Sequence, residues 1–558
     1  MTSPLNHSLR HKRTAQTRVL RASHSFGSQR PAVFWDSSAC DAGLLCSTMK
    51  LRLLLLPLLV HVCSCARILG INPTPSISHQ LPFLIIMRAL AEKGHHVTII
   101  TTNPMKDPPP NVTQIDMSFM YEKWKKDINF YQMSQLSRHE MMETIIKVGK
   151  TDCDAQLKTP IIKELQFQRE FDLVIMEMFL YMCYFGLVHK LGHPPVVGFW
   201  SAELFPQLHR MMGNPINPAY FPDIGDSYTD HMTFWERATN AYHVLDDIRI
   251  TSLSLVASQD EVMRAHFGSD CPSTGIMQYN LSLLLANSHF CSGYPLPMQP
   301  NVIQMTGLHI KGAQNPLPKD IQSFLDGAKH GFIYFSLGSN VKSNTLPEVT
   351  RESLMAAFSE LPQRVLWKFE DDTLPGKPSN VMISKWLPQE EVLAHPRIRL
   401  FITQGGLQSI NEASYYGVPL IGMPFFGDQG YNVAKMVSAG IGVKLDFKLI
   451  TKESTLEAVR TVLGNPSYRE NMKRFSAIYR EHQSTSLENA LWWVEYVIRH
   501  RGAPHLRPAA LDLHWWQLLL LDVIGFVVAA AAAVTFVLYK LTRRLLALIC
   551  RPSKLKKQ

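Results

Sequence analysis

The chain of 558 residues is 46% apolar and 18% charged, the composition of a globular protein of roughly two to four domains. Its net charge of +10 sits at the ends: residues 1–48 carry six basic and two acidic residues, and residues 540–558 carry seven basic and no acidic ones. The body between them is nearly neutral, which excludes the electrostatic footprint of a nucleic-acid binder.

Residues 1–48 read as a non-structural extension ahead of Met49. Lys50 and Arg52 flank the apolar run Leu51–Val62, and Cys63-Ser64-Cys65-Ala66 follows, so residues 49–66 form the pattern of a cleavable signal peptide. The next expected unit is an N-terminal domain, 67–300. Arg67–Asn72 reads as a buried strand, residues 73–79 as a loop, Gln80–Glu92 as a helix closed by Lys93-Gly94, and Val97–Thr101 as the next strand. This βαβ unit predicts a parallel sheet, to which Phe171–Met176 and Val196–Trp200 add strands. The Pro- and Gly-rich stretch Ser292–Pro318 reads as a linker.

A second α/β series fills an expected C-terminal domain, 301–485. Its strands are Gly331–Leu337, Val365–Phe369, Val381–Ser384, Arg399–Thr403 and Leu420–Met423, and its helices are Leu407–Tyr416, Tyr431–Ser438 and Glu453–Leu463. The predicted fold class is α/β, with two facing, doubly wound, Rossmann-like domains and a ligand cleft at the carboxyl ends of the strands. The amphipathic helix Ser486–Arg499 lies in a crossover and connector segment, 486–512. Residues 515–539, with Trp515, Trp516 and Tyr539 near the ends, are expected to span a membrane as one helix, leaving the basic tail 540–558 in the cytosol and the body lumenal. Lys554 and Lys556 resemble a dilysine retrieval signal of the endoplasmic reticulum. Cys153, Cys183, Cys271 and Cys291 fall in the body, where disulfides are permitted, and none has metal-ligand spacing. Asn111 and Asn280 open glycosylation sequons.

The stretch Trp386–Gln429 carries the chemistry. A strand, then Gly405-Gly406, then a helix start makes an anion cradle of backbone N–H groups and helix dipole. Gln408 and Glu412 are four apart and share a helical face, where a carboxylate suits a ribose diol. Trp386 offers a flat face to a planar base, and Asp428-Gln429 offer a carboxylate and an amide to sugar hydroxyls. Each feature alone is an ordinary turn, core or surface feature; their joint order describes a nucleotide-diphosphate-sugar site.

This stretch resembles the signature of the UDP-glycosyltransferases, and the chain from Met49 onward looks like the membrane-bound animal members, most closely the insect ones. Asn214-Pro215-Ile216-Asn217-Pro218-Ala219-Tyr220, Phe234-Trp235-Glu236-Arg237, Pro316-Leu317-Pro318-Lys319-Asp320 and Gly502-Ala503-Pro504-His505-Leu506-Arg507 also match. The resemblance implies a glycosyltransferase B fold and an inverting hexosyl transfer, with no metal and no cofactor, from a UDP-sugar, UDP-glucose above UDP-glucuronate, to a small lipophilic acceptor for detoxification or conjugation. It implies that Trp386 stacks on uracil with Gln389 beside it, that Ser339, Gln408, Ser409, Gly405 and Gly406 hold the diphosphate, that Glu412 binds ribose, and that Asp428 and Gln429 hold the sugar. His79 is implied as the general base. Two positions depart from the family pattern: Gln404 stands where many members have a phosphate-binding histidine, and Glu177 where many have the aspartate that orients the base. Asp172 is the weaker candidate, on the other face of its strand. Phe179, Leu180, Tyr181, Met182, Tyr184 and Phe185 are expected to make the acceptor side apolar. The motifs leave open a sphingolipid-type glycosyltransferase, a catalytically weak binder of UDP-sugar or hydrophobic ligands, and a homo-oligomer.

Overall fold

The computed structural model describes residues 65–168, 170–178 and 180–550. Residues 1–64, which include the expected extension and all but the last two residues of the expected signal peptide, lie outside the described residues, as do Phe179 and the dilysine tail. Ala66, expected to close that peptide, is instead buried in the N-terminal core.

Two all-parallel sheets form the body. The first holds β1 (Arg67–Asn72), β2 (His96–Thr101), β3 (Val112–Asp116), β4 (Leu173–Glu177), β5 (Val196–Trp200), β6 (Leu281–Ala286) and β7 (Val302–Gln304), in the order β3-β2-β1-β4-β5-β6-β7. The second holds β8 (Phe332–Ser336), β9 (Arg364–Lys368), β10 (Val381–Ser384), β11 (Ile398–Thr403), β12 (Leu420–Gly422) and β13 (Gly442–Lys444), in the order β10-β9-β8-β11-β12-β13. Both are doubly wound, and each reverses its strand order once, between β1 and β4 and between β8 and β11. In such sheets the crevice at that reversal, beyond the carboxyl ends of the strands, is where ligands bind.

The apolar runs of these strands follow from helices covering both faces. In β4, Val174 and Met176 enter one core layer while Leu173 and Ile175 enter the other. In β8, Ile333 and Phe335 face one layer and Phe332 and Tyr334 the opposite one. β7 pairs with β6 and carries the first sheet to Gln304, beyond the boundary expected at residue 300. Pro and Gly mark the turns around this short strand and conceal it in the sequence. The helix Ser486–Arg499 returns to the N-terminal domain, where Ala490, Leu491, Val494 and Val497 pack with Ile68, Phe83 and Leu283.

Toward the carboxyl end, a short helix Trp515–Leu518 breaks at Leu520, which has φ of 53°, and a single helix Leu521–Ile549 follows. It is long and apolar enough to cross a membrane. The apolar helix therefore begins later than residue 515 and continues without interruption through Lys540, Arg543 and Arg544. Cys153 and Cys183 form a disulfide joining the helix Arg138–Leu157 to the segment after β4, while Cys271 and Cys291 are free and buried.

Candidate active site

β1 ends at Asn72, and the loop after it carries Thr74, Ser76 and then the helix Ile77–Glu92. This helix starts earlier than the sequence suggests, so His79 stands in its first turn rather than in the loop. Gln80 fixes that turn: its Nε2 donates to Asn72 O, Asn72 Oδ1 and Thr74 O at 2.7, 3.0 and 2.8 Å, and Thr101 Oγ1 donates to its Oε1 at 2.6 Å. Asn72 Nδ2 donates to His79 O at 3.1 Å. The backbone beneath His79 is thereby held before any substrate arrives.

Glu177 is the last residue of β4, across the strand reversal from β1. Its Oε1 lies 2.5 Å from His79 Nδ1, and its Oε2 accepts a hydrogen bond from Thr74 Oγ1. Glu177 is buried while the His79 side chain keeps 27% of its exposure. Burial opposes the imidazolium, but the Glu177 charge and hydrogen bond, with Asp428 behind them, raise the His79 pKa above its ordinary value. Trp200, at the end of β5, packs edge-on to the imidazole with ring centroids 6.0 Å apart. Asp172 sits before β4 and accepts from the backbone N–H of Arg67 at 2.8 Å, away from this pair.

His79 and Glu177 open onto a cavity of about 620 Å³ between the domains. Met141, Met142, Ile145 and Val148, from the helix Arg138–Leu157, supply much of its apolar wall. Phe130 closes toward the other domain by stacking on Phe426 with centroids 5.2 Å apart. The expected aromatic run contributes less. Leu180 and Tyr181 line the cavity, but Met182, Tyr184 and Phe185 turn into the core of the N-terminal domain. A 3₁₀ turn over Met182–Tyr184, tethered by Cys183, rotates them inward, and Tyr184 OH donates to Gln156 Oε1 at 3.2 Å.

On the opposite side, Asp428 lines the same cavity and accepts from Asn432 Nδ2 at 2.9 Å, and burial raises its pKa. Gln429 is buried, and its Oε1 accepts from the backbone N–H groups of Phe425 and Phe426 at 2.8 and 3.3 Å, so only its amide nitrogen is left for a sugar.

Ser339 follows β8 and is exposed; Gln404, Gly405 and Gly406 follow β11. The second strand reversal thus lies between them. Gly405 has φ of 87°, and a Cβ there would stand 2.6 Å from Val433 Cγ2. Gly406 caps the helix Leu407–Tyr416, whose first-turn N–H groups have no partner within the helix. Gln404 is buried against Gly338, with its Oε1 unpartnered. Gln408 departs from its expected place. Its Nε2 donates across the cleft to Ser78 O and Ser201 O, at 3.1 and 2.9 Å, and so links the two domains beside His79.

Gln389 Nε2 donates to Ser409 Oγ at 3.0 Å and to Glu412 Oε2 at 2.8 Å, and its Oε1 accepts from Tyr334 OH at 3.1 Å. Trp386 follows β10, 61% exposed, with Lys368 Nζ 5.8 Å from its ring centroid. Sequence reasoning missed Thr74, Gln80 and the wall helix. Each acts through a contact that only the folded chain brings about.

The model of the UDP-glucoronosyl and UDP-glucosyl transferase family matches residues 71–554. The chain belongs to that family. A UDP-glucosyltransferase 2 of Dactylopius coccus is 38% identical over 504 residues, 89% of this chain and 97% of its own length. UDP-glucuronosyltransferase 2B18 of Macaca fascicularis is 32% identical over 485 residues, covering 83% and 90%. The crystal structure of the glycotransferase of kitacinnamycin superposes with a TM-score of 0.53 at 17% identity, covering 78% of this chain and 99% of its own. Glycosyltransferase VinC in complex with dTDP gives 0.51 at 15% identity, with coverage of 78% and 100%. These likenesses show the glycosyltransferase B fold, and the family makes the chain a UDP-glycosyltransferase, for which a UDP-sugar is the donor.

Proposed function

We propose that this UDP-glycosyltransferase transfers glucose from UDP-glucose, with inversion, to a hydroxyl of a small lipophilic acceptor, as a conjugating or detoxifying enzyme of the endoplasmic reticulum membrane whose catalytic body faces the lumen. The observation that carries the reading is the His79–Glu177 pair at the mouth of an apolar cavity that Asp428 also lines. The acceptor enters against Met141, Met142 and Ile145. His79 Nε2 takes its hydroxyl proton, while Nδ1–H remains on Glu177, whose charge stabilises the imidazolium as it forms. The acceptor oxygen attacks the anomeric carbon from the face opposite UDP. The carbon–oxygen bond to UDP breaks, and the diphosphate leaves toward Ser339, Gly405, Gly406 and Ser409, where helix N–H groups and dipole meet its charge. Trp386 stacks on uracil beside Gln389, Glu412 takes the ribose hydroxyls, and Asp428 with the Gln429 amide holds glucose. Neither metal nor cofactor enters this scheme.

Glucose is favoured because the insect relative at 38% identity is named a glucosyltransferase, while the glucuronosyltransferase is at 32%. The Cys153–Cys183 disulfide and the apolar helix Leu521–Ile549 support an oxidising lumen and a membrane anchor. The test is turnover by membranes containing the chain, with radiolabelled UDP-glucose and UDP-glucuronate side by side, on phenol, steroid and sphingoid acceptors. Glucosides of the phenols or steroids are expected. Transfer only from UDP-glucuronate would overturn the donor, transfer only to sphingoid lipid the acceptor class, and no transfer at all would make the chain a binder.

A further inference from the structure

Glu412 is gripped from two directions. Its Oε2 accepts from Gln389 Nε2 within the C-terminal domain. Its Oε1 faces His309, whose Nε2 lies 3.1 Å away. His309 does not come from the same structural layer. It follows β7, the edge strand of the first sheet, and precedes the helix Lys319–Asp326, so it belongs to the connection between the two domains. Its side chain is 5% exposed, and neither ring nitrogen has an aligned hydrogen bond. The contact with Glu412 is therefore one of proximity.

A buried imidazole in that state is uncommon, because an unsatisfied buried polar group carries its full desolvation penalty. The arrangement has a use if the carboxylate must be presented in one orientation. Each oxygen of Glu412 has two acceptor sites, so Oε2 keeps one for a vicinal diol after Gln389 has taken the other, and Oε1, which His309 faces without an aligned hydrogen bond, is open to the second hydroxyl. Held only at Oε2, the carboxylate turns about its last torsion, and the second oxygen loses its place. Glu390, whose Oε2 accepts from Lys311 N at 3.1 Å and Tyr416 OH at 3.2 Å, adds negative charge to the same neighbourhood. A donor at His309 offsets that repulsion on Glu412.

We infer that His309 is a positioning residue of the donor site: it fixes Glu412 for the ribose diol and ties recognition of the nucleotide to the segment that joins the domains. The inference rests on the reading of Glu412 as the ribose carboxylate. Both are tested on the full chain in detergent by calorimetric binding of UDP and of 2′,3′-dideoxy-UDP. Wild type should bind UDP more tightly than the dideoxy analogue. His309→Ala should weaken UDP about tenfold, because the carboxylate it no longer holds meets the diol with one oxygen instead of two, and leave the analogue unchanged. His309→Gln should recover part of the loss, because its amide nitrogen can donate to the same oxygen. Glu412→Ala should abolish the discrimination, and the double variant should be no worse than Glu412→Ala. Equal weakening of both ligands by His309→Ala, or of neither, while Glu412→Ala still loses discrimination, overturns the role of His309 alone. Full discrimination in Glu412→Ala overturns the ribose reading, and the inference with it.

Discussion

At His79, burial disfavours the imidazolium while the Glu177 and Asp428 carboxylates favour it, and the carboxylates win. A general base works only when neutral. kcat/KM should therefore rise with pH as His79 loses its proton, with a midpoint above the ordinary value of 6.5. Glu177→Gln removes the charge that lifts this pKa, so the midpoint should move to lower pH. Turnover at neutral pH should nevertheless fall, by roughly a hundredfold or more, because the imidazolium formed in the transition state loses its counter-charge. A pH–rate profile of both proteins from about pH 5 to 9 checks this; an unmoved midpoint would detach Glu177 from the base. The pair was legible in the sequence through the family resemblance, which implies a histidine after the first strand and a carboxylate at the end of a later one; the parallel pairing of β1 with β4 brings the two together. Thr74 was not legible. A threonine between two prolines signals only a turn, and its bond to Glu177 depends on the Gln80 network that positions the loop.

The element proposed to receive the leaving group is a strand, two glycines and a helix, and its two glycines differ. Gly405 is left-handed and pressed against Val433, whereas Gly406 has φ of −64° and its Cβ would meet only Gln404 Nε2, at 3.4 Å. Gly405→Ala should destabilise the chain by roughly 1–3 kcal/mol and raise the donor KM, since the strain displaces the helix start. Gly406→Ala should cost clearly less. Urea unfolding with donor kinetics on both variants separates them, and equal effects would mean that composition rather than backbone geometry shapes the turn. The motif made the strand, the glycine turn and the helix legible, since a strand-like run, paired glycines and a helical run leave few alternatives. It did not show that Gln408 reaches across to Ser78 and Ser201, because nothing local to a sequence reveals which domain a side chain faces. The same limit explains the acceptor wall. The aromatic run after β4 promised an apolar cleft, but a 3₁₀ turn buries most of it, and the helix Arg138–Leu157 lines the cavity instead.

In the whole molecule, the two domains carry the proposed chemistry and the helix Leu521–Ile549 is the candidate membrane attachment. The connector docks on the body, with Arg507 Nη1 bonded to Tyr279 O at 2.5 Å and Pro508 against Gly213. Ending the chain after Leu513 removes the apolar helix and leaves that docking in place. The shortened protein should leave the membrane fraction on alkaline extraction while keeping most of its turnover. Retention in the membrane would point to a second attachment, for which the exposed Phe234, Trp235 and Tyr242 are the natural place to look. The central claim concerns the proton of the acceptor, and His79→Ala tests it most directly. With UDP-glucose and a phenol, the wild type should form the β-glucoside, the inverted product of the α-linked donor, as read by proton NMR. His79→Ala should lose turnover by roughly 10²–10⁴ while its calorimetric affinity for UDP stays nearly unchanged. An alanine variant that keeps most of its turnover, or a wild-type product of retained configuration, would contradict the account.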